Sequence, residues 1–154
     1  MSEVRARVRV QGIASQAEAL WYDTRRWASF VDGLAHVDKV EGDWPDVGSR
    51  VVWSSRPGGR GRVVEVSERH ITRMGQTVRV EDERLRGTQR VSFTPDDGHC
   101  VVELVLEFEL KAVEPSALRP LVAFFTRRPL RDSLQRTLDR FAVELRGDLE
   151  ATRV

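Results

Sequence analysis

With 154 residues, 40% hydrophobic and 32% charged, the chain is of a size and composition to bury about two thirds of its unfolded surface in one core. Its 25 basic and 24 acidic side chains leave a formal charge of +1, which exerts no global pull on nucleic acid or anionic lipid. A single cysteine, Cys100, excludes an intrachain disulfide and a cysteine-based zinc cluster.

In chain order, Val4, Ala6, Val8 and Val10 alternate with Arg5, Arg7 and Arg9, the pattern of a half-buried strand. Ser15 followed by Glu18 predicts a capping box for a short helix carrying Ala17, Leu20 and Trp21. Thr24 is expected to cap a second short helix with Trp27, Phe30 and Val31, which ends at Asp32-Gly33. Strands are then expected over 35–41, 49–55, 61–69, 76–85, 89–94 and 100–110, separated by stretches rich in Gly, Pro and Asp. Pro95-Asp96-Asp97-Gly98 is a hairpin signal between the last two. In the last strand Val102, Leu104, Leu106, Phe108 and Leu110 share one face, and Glu103, Glu107 and Glu109 the other.

Leu130, Leu134, Leu138, Phe141, Leu145 and Leu149 then recur at helical spacing. One long amphipathic helix after a run of antiparallel strands is expected to lie across the sheet, since no other element covers its stripe. Pro129 falls inside this pattern and is expected to kink or break the helix after Phe124-Phe125. No repeat or linker divides the chain, so 1–154 reads as a single domain. Met1 to Val10 lacks the apolar centre of a signal peptide, and no stretch approaches the ~20 apolar residues of a membrane span. A cytoplasmic location without stable membrane insertion is therefore expected.

Several phrases, in this order, resemble the START/Bet v 1-like (SRPBCC) helix-grip superfamily and its polyketide cyclase/dehydrase-like branch. Ile13-Ala14-Ser15-Gln16-Ala17-Glu18-Ala19-Leu20-Trp21 is similar to the opening helix. Trp27-Ala28-Ser29-Phe30-Val31 is similar to the second helix, and Pro45-Asp46-Val47-Gly48-Ser49 to the turn into the third strand. Leu134 to Leu145, with Thr137-Leu138-Asp139-Arg140-Phe141 inside it, is similar to the closing helix. The resemblance implies an α+β fold: a curved antiparallel sheet of about seven strands wrapped around the long C-terminal helix, with two short helices after the first strand. It also implies an apolar cavity under that helix, for a lipid, polyketide or similar small hydrophobic molecule, with no cofactor.

On that fold Trp27, Phe30, Trp53, Phe93, Leu106, Phe108, Leu121, Phe124, Phe125, Leu134 and Leu138 would surround the cavity; as ordinary core they would simply pack it. Val66-Ser67-Glu68-Arg69 resembles a phrase whose arginine reaches the cavity in aromatase/cyclase relatives. If Val64 and Val66 face the core, however, strand parity points Arg69 outward unless a bulge reverses it. Asp82 shares a strand face with Val78 and Val80, as a buried general base would, or it ends the strand in solvent. Gln76 and Gln89 are candidate partners for a ligand carbonyl.

His36, His70 and His99 show no metal-binding spacing, so no metal site is expected. Gly58-Gly59-Arg60-Gly61 reads as a hairpin turn. Arg119, Arg127, Arg128 and Arg131 are the one local charge concentration, fit for an acidic head group or for a solvated helix face. A binder of a hydrophobic molecule is the leading expectation. A polyketide cyclase or aromatase using Arg69 or Asp82 is the alternative, and a protein-interaction module the third. Nucleic acid is not an expected partner, and monomer and homodimer both stand.

Overall fold

A computed structural model describes residues 1–111 and 116–153. The side chains of residues 116, 119 and 123–125 lie outside the described residues, and the expectations for Phe124, Phe125 and Arg119 lie there with them.

β1 (Ser2–Gln11) is followed by α1 (Ala14–Trp21), a 3-10 turn (Thr24–Arg26) and α2 (Trp27–Phe30). Six strands follow: β2 (Leu34–Glu41), β3 (Arg50–Ser55), β4 (Arg62–Ile71), β5 (Gly75–Glu81), β6 (Leu85–Asp96) and β7 (His99–Leu110). A 3-10 turn (Ser116–Leu118) leads into α3 (Arg119–Ala151). All pairings are antiparallel, in one seven-stranded sheet of order β1-β7-β6-β5-β4-β3-β2. This is the helix-grip arrangement.

Local chemistry moves several expected boundaries. α1 begins one residue before Ser15, because the Gln16 side chain accepts the Ile13 N–H at 3.0 Å. Glu18 reaches instead to the β4–β5 hairpin, where it accepts the Arg73 N–H at 2.6 Å. Asp23 rather than Thr24 caps the second helical segment, accepting the Arg25 N–H at 3.2 Å. Leu85 opens β6 instead of closing β5, because Asp82 Oδ1 accepts the N–H groups of Arg84 and Leu85 at 2.7 and 2.9 Å and folds a turn there. α3 runs unbroken through Pro129 for 33 residues. The proline is exposed, so the hydrogen bond it forgoes is lost where water replaces it.

Sheet curvature gives α3 its seat. Gly87 sits opposite Phe108, and a Cβ there would stand 1.9 Å from the Glu107 carbonyl oxygen. Only glycine lets β6 fold this closely over β7. Within the curve Leu134, Leu138, Phe141 and Leu145 are buried against the strands and the short helices. Phe141 is fully enclosed, edge-on to Trp21 at 5.4 Å and to Phe30 at 5.3 Å. Trp21 and Tyr22 thus belong to the interior; Tyr22 packs edge-on to Phe93 at 6.1 Å. β2 carries two bulges against β3, between Leu34 and His36 and between Val37 and Lys39. Along the opposite edge α3 lies on β1, and Gln135 donates to the Arg7 carbonyl at 3.1 Å.

Two polar clasps hold α3 to the short helices. Arg26 donates to Glu144 at 2.8 Å and to both oxygens of Asp148 at 2.9 and 3.1 Å. Asp32, just after α2, accepts from Ser133 at 2.7 Å, from Arg136 at 3.0 and 3.1 Å and from Arg140 at 3.2 Å. Its N–H donates to Thr137 Oγ1 at 2.9 Å. Burial alone would push the Asp32 carboxyl up; the Arg136 and Ser133 hydrogen bonds and the two arginine charges outweigh it and hold the group below its ordinary value.

Phe141→Ala is expected to lower the unfolding free energy by about 3–5 kcal/mol in denaturant titration. Asp32→Asn is expected to lose about 1–2 kcal/mol at neutral pH, a figure reduced by the solvent around Arg136 and Arg140. A carboxyl held low in the folded state stabilises above its unfolded pKa, and that contribution fades as pH falls through the folded value. The difference between wild type and Asp32→Asn, measured by urea titration, is therefore expected to shrink toward pH ~3.

Candidate functional site

Between the concave sheet, α2 and the middle of α3 lies a cavity walled by Trp21, Trp27, Phe30, Trp44 and Trp53. Its free space is about 50 Å³, room for a few water molecules. Ligand cavities for drug-sized molecules run roughly 300–1,000 Å³, so a larger guest has to displace side chains. The wall is closed by Val31 and Asp32 on one side and by Ser133, Leu134 and Thr137 of α3 on the other.

The polar lining comes from the β3–β4 hairpin and from β4. Val63 and Ser67 are buried on the inner face and Glu65 lines the cavity, while Val64 and Val66 lie along a groove on the outer face. The Glu65 carboxylate accepts the Trp53 indole N–H at 2.7 Å. Burial pushes its carboxyl up from the ordinary value, against the opposing Trp53 hydrogen bond and Arg60 charge. Arg60 lies over the Trp53 ring at 5.6 Å, a cation–π contact. Its Nε donates to Asp82 Oδ2 at 2.7 Å, while its Nη2 is buried with no hydrogen-bond partner.

At the other side Trp44 packs edge-on to Trp27 at 5.8 Å, and its indole N–H is likewise buried without a partner. Gln76 and Gln89 also line the cavity; the Gln76 amide donates to Ser67 Oγ at 3.1 Å. The site thus combines an aromatic wall, two buried donors with no hydrogen-bond partner among the described residues, and a carboxyl that burial pushes above its ordinary value.

The expected lining residues divide. Trp27, Phe30, Trp53 and Leu134 face the cavity. Phe93, Leu106, Phe108 and Leu138 are buried in the surrounding core and are not on its wall. Leu121 is 54% exposed on the first turns of α3.

Arg69 is exposed on the outer face. A bulge between Ser67 and Arg69 does exist, but the strand before it has the opposite parity to the one expected, so the bulge turns Arg69 out and His70 in. His70 meets the Tyr22 ring edge-on at 5.2 Å. Asp82 is buried, and its carboxylate is taken up by the turn N–H groups and Arg60, an anchoring role and not that of a base facing a ligand.

Arg60 and Glu65 were hidden from sequence reading. One stood in a glycine-rich turn, the other at a position that alternation assigned to solvent. The one signal for Glu65 is that Trp53 pairs with Val63, two residues away on the same inner face, where an indole N–H needs an acceptor.

The profile of the polyketide cyclase / dehydrase and lipid transport family matches residues 1–146. The chain belongs to that family. No curated protein matches it. Among solved structures it is similar to the Zhui aromatase/cyclase of Streptomyces sp. R1128, with a TM-score of 0.73 and 15% identity, over 96% of this chain and 95% of that one. It is also similar to norcoclaurine synthase of Thalictrum flavum in complex with a transition-state analogue, with a TM-score of 0.69 and 13% identity, over 96% and 95% of the two chains. TTHA0849 of Thermus thermophilus matches at a TM-score of 0.62 and 20% identity, over 93% of this chain and 99% of that one. Identities this low speak to the shared fold. Among the described residues no helix of this family member is long and apolar enough to cross a membrane, and no group of His, Cys, Asp or Glu is placed to hold a metal.

A carboxyl whose folded pKa is raised makes the fold lose stability as pH climbs above the unfolded value. Glu65→Gln keeps an acceptor for Trp53 and removes the titration. In thermal melts from pH about 5 to 8, the variant is expected to match wild type at the acid end and exceed it at the alkaline end.

Proposed function

We propose that this protein binds a small hydrophobic molecule carrying oxygen acceptors, a ketone, quinone or phenol on an aromatic or polyketide-like frame, in the cavity beneath α3. The observation that carries this reading is the pair of buried donors without partners, Trp44 Nε1 and Arg60 Nη2, both on the wall of an aromatic cavity. Leaving such a group unsatisfied costs about 1–3 kcal/mol. A plain hydrocarbon leaves both as they are, whereas an oxygen at each end meets them. The family's description and the two similar enzymes are in keeping with such a ligand. The guest enters by parting the seam between Val31-Asp32 and Ser133-Thr137, which lies against the cavity and is bridged by the hydrogen bonds of Asp32 to Ser133 and Thr137.

A second reading, a cyclase- or dehydrase-type reaction, draws on Glu65. Burial pushes this carboxyl above its ordinary value, the direction that suits a general acid toward a ligand oxygen, and the Arg60 guanidinium beside it would stabilise the carboxylate left behind. Asp82 enters this reading only by holding Arg60, and Arg69 is exposed on the outer face.

Native mass spectrometry of protein purified gently from its own host is expected to show a stoichiometric oxygenated apolar ligand. Binding of a hydroxynaphthoquinone is expected to raise the melting temperature, and an alkane of equal size to leave it unchanged. Trp44→Phe and Arg60→Ala are each expected to weaken that binding about tenfold. Equal shifts with quinone and alkane, or none with any apolar compound, would refute the reading.

A further inference from the structure

Among the described residues, the start of α3 carries large apolar side chains that face water. Leu118, Leu121 and Val122 are exposed at 44%, 54% and 37%. Leu118 ends the 3-10 turn that leads into α3, and Leu121 and Val122 follow it on the first turn of the helix. Past Pro129 the apolar side chains of the same helix, Leu134, Leu138, Phe141 and Leu145, are buried against the sheet. The helix therefore shows apolar surface to the core in its later turns and to water in its earlier ones.

Farther along the helix Arg127, Arg128 and Arg131 border a groove with Pro129 of α3 and with Val4 and Arg5 of β1. Glu3 is the one acid on its rim, and it is taken up by Arg5 at 2.6 Å. Among the described residues Arg127, Arg128 and Arg131 have no ion-pair partner.

We infer that the first turns of α3 dock the protein on an anionic bilayer, with Leu118, Leu121 and Val122 sinking among the acyl chains and Arg127, Arg128 and Arg131 on the lipid phosphates. Both halves of the surface are needed to choose this partner. An acidic protein or a nucleic acid would use the arginines and leave the aliphatics in water. A neutral apolar partner would cover the aliphatics and desolvate the arginines without return. An anionic bilayer offers hydrocarbon and negative charge at successive depths, and along α3 the exposed aliphatics come first and the arginines follow. The near-neutral total charge does not oppose this, because the attraction acts within a Debye length of the membrane and only local charge counts. The inference is independent of what occupies the cavity.

The test is flotation of the full chain with vesicles of phosphatidylcholine alone and with vesicles in which about a third of the lipid is phosphatidylglycerol. Binding to the anionic vesicles only, weakening as salt is raised, is the expected result. Arg127→Glu with Arg128→Glu is expected to reduce partitioning about tenfold or more. Leu121→Asp is expected to reduce it with the melting temperature unchanged, since this side chain is exposed. Equal binding to both vesicle types, or none to either, overturns the inference. So does heparin binding as tight as vesicle binding with Leu121→Asp inert, which would make the surface a site for soluble polyanions.

Discussion

Burial of one stripe of α3 inside a bent sheet is the constraint on which everything else rests. Leu134, Leu138, Phe141 and Leu145 can leave water only if the strands curve around them. The strands curve that closely because Gly87 brings no side chain to the contact with Glu107. Phe141 then meets Trp21 and Phe30, so the short helices are fixed by the same cluster that fixes the long one. The clasps at Arg26 and Asp32 add direction to a contact that hydrophobic burial alone leaves free to slide.

The cavity exists where this packing stops short. Trp27 and Trp44 meet edge-on there, and the space left is edged with donors that find no partner among the described residues. Asp82 is instructive. It is buried and charged, as a catalytic carboxylate would be, yet its oxygens are consumed in building a turn and in holding Arg60 over Trp53. It positions the guanidinium on the cavity wall.

Alternation in β7 and the stripe of α3 were legible in the sequence because each element has a single wet face, and periodicity records one such division per element. β4 was not legible. Val63, Val64 and Val66 satisfy either parity, and the choice between them rests on Glu65 pairing with an indole on the neighbouring strand, a tertiary fact. The error carried forward: with parity inverted, the bulge after Ser67 had the opposite effect on Arg69. Arg60 was invisible for another reason. Hairpin chemistry accounts for the glycines around it and is silent about where an arginine among them points. The cap of α1 was misassigned because Gln16 and Glu18 both suit a capping role, and only the nearness of Arg73 decides which one is drawn away.

The bulges in β2 have a meaning for the company the protein keeps. A flat strand at the end of a sheet is a template on which another chain can add, and runaway addition is how sheets become fibres. Two interruptions in eight residues break the even row of donors and acceptors that such growth copies. At the far end α3 lies along β1, and Gln135 already occupies a carbonyl that an incoming strand would use. Interrupted at one end and overlain by a helix at the other, the sheet is a poor template for strand addition by a second copy.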